Sequence, residues 1–285
     1  MHGVIPEAPT SEAASITYIG GPTALLEWHG LRLLTDPTFD PAGVVYELPG
    51  YKLRKTADPA IAVEDIGEVD AVLLSHEQHL DNLDHAGRSL VATVARVLTT
   101  RAGAARIGSN AVGLAPWAAV ELPAPDGSRV RVVATPARHG PAEGDRGPVV
   151  GFVLQVVGEL GTSIYFSGDT VFYGGVGKVI DRFDIAVALL CLGAARVAAA
   201  GNARLTFSAA EAVQVARAIP GAVIVPLHYE GWEHLSESRA DIERAFHRAR
   251  LEHRLRWPRP GAAMALDPTS SEFLTPRRLT GRQPK

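Results

Sequence analysis

The sequence predicts an α/β protein made of two similar halves packed sheet to sheet. Short apolar strands recur along the whole chain, and strands with a helix are followed by strands with helices again. Neither a shift in composition nor a repeat of short period divides the 285 residues, so one domain is expected over 15–267. Residues 1–14, rich in Pro, Glu, Ala and Ser, are expected to form a flexible leader, and 268–285 a polar, basic surface tail. The 46% apolar and 21% charged composition is that of a folded globular protein.

The first strand is expected at 15–19, ended by Gly20-Gly21-Pro22. Strands follow at 23–28 and 31–35, joined by His29-Gly30 as a two-residue hairpin turn, where Gly supplies a positive φ. Asp36-Pro37 ends the third strand because Pro37 has no N–H to donate. Residues 37–66 hold prolines, glycines, Phe39, Tyr46, Tyr51 and the basic run Lys52-Leu53-Arg54-Lys55. They read as a long loop, either solvated or covering a site. In the second case Tyr46, Tyr51, Lys52, Arg54 and Lys55 would meet a polar or anionic substrate.

Further strands are expected at 71–74, 96–99, 117–122, 130–135, 149–157 and 163–166. A short helix is expected at 86–92. Helix and strand then alternate: a helix at 176–182, a strand at 184–190, a helix to about Ala218, a strand at 222–227 and a last helix to about Glu252. Ser208 and Glu211 form a capping box at the start of the second of these helices, and Ser236 or Ser238 caps the last one.

The totals exclude several classes of function. A net charge of -3 gives no basic field for nucleic acid or a membrane surface. The longest apolar run, 185–192, is too short to span a bilayer, and the first residues carry no signal-peptide pattern. The single cysteine, Cys191, excludes an internal disulfide and a cysteine-rich zinc site. Set in an apolar run, it reads as core. The expected compartment is the cytoplasm, and the oligomeric state is not legible.

The chemistry concentrates on the loop after the strand at 71–74. Between His76 and Asp84 lie two imidazoles, His76 and His79, and three carboxylates, Glu77, Asp81 and Asp84. Imidazole and carboxylate are ligands suited to Zn, Mn or Fe. The plain alternative is a polar helix entrance capped by Asp84. His139, Asp169 and His228 also stand at or just after the ends of apolar strands, where α/β proteins keep their sites. Singly, each is an ordinary loop or strand-end residue. Together with His76, His79 and Asp81 they suggest one metal centre.

These pieces resemble the metallo-β-lactamase superfamily, and within it the branch that includes ascorbate-6-phosphate lactonases. The matching stretches are Thr17-Tyr18-Ile19-Gly20, Leu33-Leu34-Thr35-Asp36-Pro37, 75–84, His139, Ser167-Gly168-Asp169-Thr170 and Pro226-Leu227-His228-Tyr229 with Gly231-Trp232. The resemblance implies a four-layer αβ/βα sandwich with one or two metal ions at the sheet edge. It departs at one motif. The family pattern His-x-His-x-Asp-His is here His76-Glu77-Gln78-His79-Leu80-Asp81-Asn82, and no single register preserves every ligand. Matched from the right, Asn82 replaces the last histidine; matched from the left, Gln78 replaces the second.

Carried over residue by residue, the resemblance gives His76, His79 and His139 to a first metal. Asp169 bridges, and Asp81 and His228 serve a second metal. With Asn82 in a histidine's place the second site is oxygen-rich, which favours Mn or Fe, or leaves a single Zn. Gln78 and Asn82 are expected beside the ligands as weak neutral oxygens. Asp36 either holds a ligand histidine in its tautomer or shapes the turn before Pro37.

The implied activity is hydrolysis of an ester, lactone, amide or phosphoester of a small molecule. His76 and Asp81 are the catalytic candidates, with Asp81 orienting a metal-activated water. Tyr229, Trp232 and His234, with Tyr51, either shape the pocket or plug a strand end. The rival reading, favoured by Gln78 and Asn82, is a non-catalytic relative that binds metal weakly and acts as a binding module. A nuclease would need a basic face, and a flavin-dependent diiron relative would need a further domain.

Overall fold

The structure, a computed structural model, describes residues 14–143, 146–159, 163–201 and 203–266. The expected tail, and the leader apart from Ala14, lie outside these residues. Ala14 is buried and its carbonyl accepts the Leu266 N–H at 2.7 Å.

Ser15–Gly20 (β1), Thr23–Trp28 (β2) and Leu31–Thr35 (β3) form an antiparallel meander. His29 and Gly30 make the expected turn, with φ of 53° and 80°. The stretch expected as a loop contains a small hairpin instead, Val45–Leu48 (β4) and Tyr51–Arg54 (β5). Pro49-Gly50 supplies its turn, and Tyr46 pairs with Leu53 across it on the buried face.

Ala71–Leu73 (β6) then pairs in parallel with β3. His85–Val91 (α1) follows, capped by Asp84, whose Oδ1 accepts the Gly87 N–H at 2.8 Å. Val97–Thr100 (β7) runs into a helix that the sequence reading missed, Arg101–Ile107 (α2), and then into a strand it also missed, Ala111–Leu114 (β8). The signal was Thr100, which caps α2 through the Gly103 N–H at 2.9 Å.

In the second half Ala119–Pro123 (β9), Arg129–Pro136 (β10), Val150–Val156 (β11) and Ser163–Phe166 (β12) pair antiparallel in sequence. Gly174–Arg182 (α3), Ile185–Cys191 (β13), Ala209–Ala218 (α4) and Val223–Leu227 (β14) complete a parallel edge. The Ser208–Glu211 capping box is present. Arg239–Ala249 (α5) starts at Ser238 and stops short of Glu252 because Arg250 turns left-handed at φ 59°. Ala263–Ala265 (β15), also unforeseen, pairs with β1.

Among the described residues the first sheet has the order β15-β1-β2-β3-β6-β7-β8 and the second β14-β13-β12-β11-β10-β9. Side chains alternate across each strand, and this sorts them into layers. Leu26, Leu33 and Leu73 face Phe152, Phe166 and Val225 between the sheets. Leu25, Leu34 and Val72 face outward onto Leu83 and Val91 of the α1 side. Tyr165, Leu190 and Ile224 face Val179, Val215 and Phe246 of the three later helices. The result is the expected αβ/βα sandwich. Each fully buried Leu or Phe contributes about 1.5–3 kcal/mol, so both sheets, and the strand ends at their common edge, are firmly held.

Candidate metal centre

The C-terminal ends of β3, β6, β10, β12 and β14 meet at one edge of the sandwich. They bring there Asp36, Ser75 and His76, then His139, Asp169 and His228, all of them buried. His79 and Asp81 come from the turn between β6 and α1 and are also buried.

His76, His79 and His139 form a tight cluster. His76 Nε2 lies 2.9 Å from His79 Nδ1, and His139 Nε2 lies 3.1 Å from the same atom. The outer nitrogens of two of these rings are already used. His139 Nδ1 faces the Leu205 carbonyl at 2.8 Å, so it carries the proton and leaves Nε2 bare. Ser75 Oγ donates to Asp36 Oδ2 at 2.7 Å and therefore accepts from His76 Nδ1 at 2.8 Å. That chain leaves His76 Nε2 bare as well. Asp36 thus reaches His76 through Ser75, whose backbone N–H it also accepts at 2.6 Å.

Asp169 sits beside this cluster, with Oδ2 3.9 Å from His139 Nδ1 and Oδ1 accepting from His228 Nδ1 at 3.1 Å. Its turn needs Gly168, which adopts φ +55° where a Cβ would stand 2.6 Å from the Val150 carbonyl and 2.7 Å from Ser75 Cβ. A second group lies next to it. Asp81 Oδ2 is 3.0 Å from His234 Nε2 and 3.7 Å from His228 Nε2. His228 itself is held at φ 51°, an uncommon backbone state for a non-glycine residue and one often found at functional sites.

Electrostatics put most of these groups in the form a cation binds. Burial, then the neighbouring imidazoles His79 and His139, hold His76 well below its ordinary range. Burial and His139 push His79 down to about 4. Burial alone would raise Asp81 and Asp169, but for Asp81 the His234 hydrogen bond, and for Asp169 the His228 imidazole, hold the carboxyl well below the usual range. His228 is the exception: burial lowers it, and the Asp169 carboxylate more than offsets that.

Neutral imidazoles with bare nitrogens beside ionised carboxylates are a fitting donor set for a divalent cation. Two further observations agree. Asp169 Oδ2 and His228 Nε2 are buried with no hydrogen-bond partner among the described residues. Three clusters of ligand atoms, each within 4.8 Å, occur there: His76, His79, His139; Asp81, His228, His234; and Asp169, Cys191, His228. Cys191 is fully buried, and burial keeps its thiol protonated, in keeping with a core residue.

Other expected site residues fall elsewhere. Gln78 points away from the cluster and donates to the Pro148 carbonyl at 3.0 Å, bracing the loop after His139. Asn82 donates to Asp36 Oδ2 at 3.0 Å and does not join the imidazole cluster. Tyr229 packs among the helices, edge-on to Trp257 at 5.1 Å. Trp232 is buried with Tyr46 and Leu53 under the β4–β5 hairpin. Neither ring lines the cavity over the histidines. Of the basic run, Lys52 is exposed and paired with Glu47, Arg54 is exposed, and Lys55 is buried against Asp84.

The cavity over His79, Asp81 and His139 has a volume of about 10 Å³ and is lined also by Tyr51, Arg146, Leu205 and His234. Arg146 donates to the Tyr51 hydroxyl at 3.2 Å and lies 5.4 Å from that ring. Sequence reading missed Arg146, Ser75 and the Leu205 carbonyl. Only Arg146 had a legible signal, as a cation on the loop that follows His139.

Residues 31–229, from β3 to just past β14, match the family described as the beta-lactamase superfamily domain. The chain belongs to the metallo-β-lactamase superfamily. A UPF0173 metal-dependent hydrolase of Myxococcus xanthus is 28% identical over 214 residues, spanning 70% of this chain and 69% of that protein. Among solved structures, one described as a possible metal-dependent hydrolase from Veillonella parvula shares the superfamily fold. It has a TM-score of 0.77 at 20% identity and covers 89% of this chain and 100% of its own. An isothiocyanate hydrolase from Delia radicum gut bacteria also shares the fold, with a TM-score of 0.72 at 24% identity over 88% of this chain and 99% of its own. The curated relative and the first of these structures are described as metal-dependent hydrolases, and this superfamily member carries clustered ligand-type side chains at one edge of the fold.

Proposed function

We propose that the enzyme hydrolyses an ester, lactone, amide or phosphoester bond of a small molecule with an anionic or strongly polar end. One or two Zn or Mn ions, or Fe, serve the reaction. The observation that carries this reading is the convergence of His76, His79 and His139 beside Asp169, under a roof made by Tyr51 and Arg146.

In this reading His76, His79, His139 and Asp169 hold the cation. When bound, it lowers the pKa of a water toward about 7 and polarises the substrate oxygen. Asp36 and Ser75 fix the His76 tautomer, and the Leu205 carbonyl fixes that of His139. Asp81, ionised and buried at the cavity floor, orients the attacking water and takes its proton for delivery to the leaving group. The Arg146 guanidinium receives the anionic end of the substrate. A cavity of about 10 Å³ holds no more than about one water, so Tyr51 and Arg146 swing aside on substrate entry. The resemblance to the lactonase branch supports a lactone among the first compounds to try. The single cysteine favours work in the cytoplasm.

The deciding experiment strips the protein of metal, reloads it with Zn, Mn or Fe, and measures turnover on paired anionic and neutral esters, lactones, amides and phosphodiesters. Turnover that needs the added metal is expected. Changing His139 or Asp169 to Ala should abolish both metal binding and activity. Unchanged metal binding in both variants would remove the site assignment.

A further inference from the structure

We propose that His234 is a metal ligand: with Asp81 and His228 it forms a second cation position, and its imidazole stands in for the one missing at Asn82. The proposal deepens the metal-dependent reading above and rests on it. His234 lies beyond the stretch 31–229 that matches the family.

The Asn82 carbonyl Oδ1 is buried without a hydrogen-bond partner among the described residues, a neutral oxygen and a weaker donor than an imidazole, and its amide nitrogen is engaged elsewhere. That nitrogen donates to Asp36 Oδ2, the same oxygen that receives the Ser75 hydroxyl. Asn82 therefore steadies the support of His76. A cation at Asp81 and His228 would then lack one imidazole relative to the family pattern.

His234 brings one from the connection between β14 and α5. Its Nε2 is 3.0 Å from Asp81 Oδ2, and its ring lies 6.4 Å from that of His228 at 79°. His228 is oriented by Asp169 through Nδ1, which leaves Nε2 3.7 Å from Asp81 Oδ2 and without a hydrogen-bond partner among the described residues. The ligand atoms of Asp81, His228 and His234 all fall within 4.8 Å of one another. Asp169 Oδ2, also without a hydrogen-bond partner among the described residues, is available alongside them.

The backbone around His234 is fixed. Thr56 N–H donates to the Gly231 carbonyl at 2.8 Å, Glu233 N–H to Arg54 at 3.0 Å, and Arg196 N–H to the His234 carbonyl at 3.0 Å. Trp232 anchors the segment among Tyr46, Leu53, Ala195 and Leu205. Such anchoring on both sides is what a ligand needs to hold its geometry. Two imidazoles and a carboxylate also remove the argument for an oxygen-rich second position, and make it suitable for Zn as well as Mn or Fe.

The test is metal stoichiometry, independent of turnover. Metal-free protein is loaded with Zn²⁺, desalted and counted by mass spectrometry, and loaded separately with Co²⁺ for its visible spectrum. Wild type should hold two ions per chain, and His234→Ala and His234→Gln one each, with part of the cobalt absorption lost. His247→Ala, an exposed histidine on α5, should hold two. Matching circular dichroism of the metal-free variants checks that each is folded, and His234→Gln keeps most of the side-chain volume. Two ions in both His234 variants would overturn the proposal. One ion in wild type and in His234→Ala would overturn it too, while leaving the metal-dependent reading intact. A wild type that binds no metal would overturn both.

Discussion

Lys55 and Asp84 form an ion pair at 3.1 Å with both side chains buried. It ties the end of the β4–β5 hairpin to the cap of α1, directly behind the His76–Asp81 turn. Asp84 also accepts the backbone N–H groups of Asp40 and Gly87 at 2.7 and 2.8 Å.

Removing Lys55 leaves a buried carboxylate with backbone partners only. Lys55→Met is expected to cost about 3 kcal/mol, read as a lowered urea midpoint. A variant as stable as wild type would show that the backbone donors alone suffice for Asp84.

The metal-free protein should lose stability as acid is added. His79 titrates at about 4 when folded and at about 6.5 when unfolded. Between those values the unfolded chain binds the extra proton, so stability falls as pH falls through the window, by up to about 1.4 kcal/mol per pH unit for one group. His76 acts in the same direction. Asp36, raised to about 7 by burial, opposes them across its own window. Denaturant melts of metal-free wild type and His79→Gln between pH 4 and 6.5 should differ in slope by about that amount.

Ser75→Ala breaks the path from Asp36 to His76 without touching any proposed ligand. Losing a support of this kind lowers metal affinity by about 10- to 100-fold. Competition with a chromophoric chelator measures it. Equal affinity in wild type and Ser75→Ala would mean that His76 needs no support from Asp36.

Arg146→Ala should act on substrate choice. For an anionic substrate KM is expected to rise by about tenfold, the loss of one charge-assisted hydrogen bond of about 1.5 kcal/mol, with kcat little changed. The neutral analogue should be unaffected. A fall in kcat alone would place Arg146 in the chemistry and not in recognition.

The sandwich was legible because alternation within strands and helix caps such as Ser208 are local signals. The strand-end residues His76, His139, Asp169 and His228 were legible for the same reason: each follows an apolar run. The hairpin at 45–54 was missed although Tyr51 and Leu53 alternate with Lys52 and Arg54 after Pro49-Gly50, because its strands are short and flanked by irregular chain. His234 was legible only as a pocket residue. Its neighbour Asp81 is far away in sequence, and the segment that carries it is a turn pinned by the distant hairpin. Tyr229 was left open between pocket and strand-end plug because its position next to His228 says nothing about direction, and its packing against Trp257 lies in the helix layer.

The cluster of His76, His79 and His139 draws its first two rings from one half of the chain and its third from the other. During synthesis the first two emerge from the ribosome well before the strand that carries His139, and His228 comes later still. No nascent fragment presents the complete set, so a growing chain has little hold on stray cations in the cell. If the proposed site is right, metal loading is a step for the finished fold, after both halves have closed.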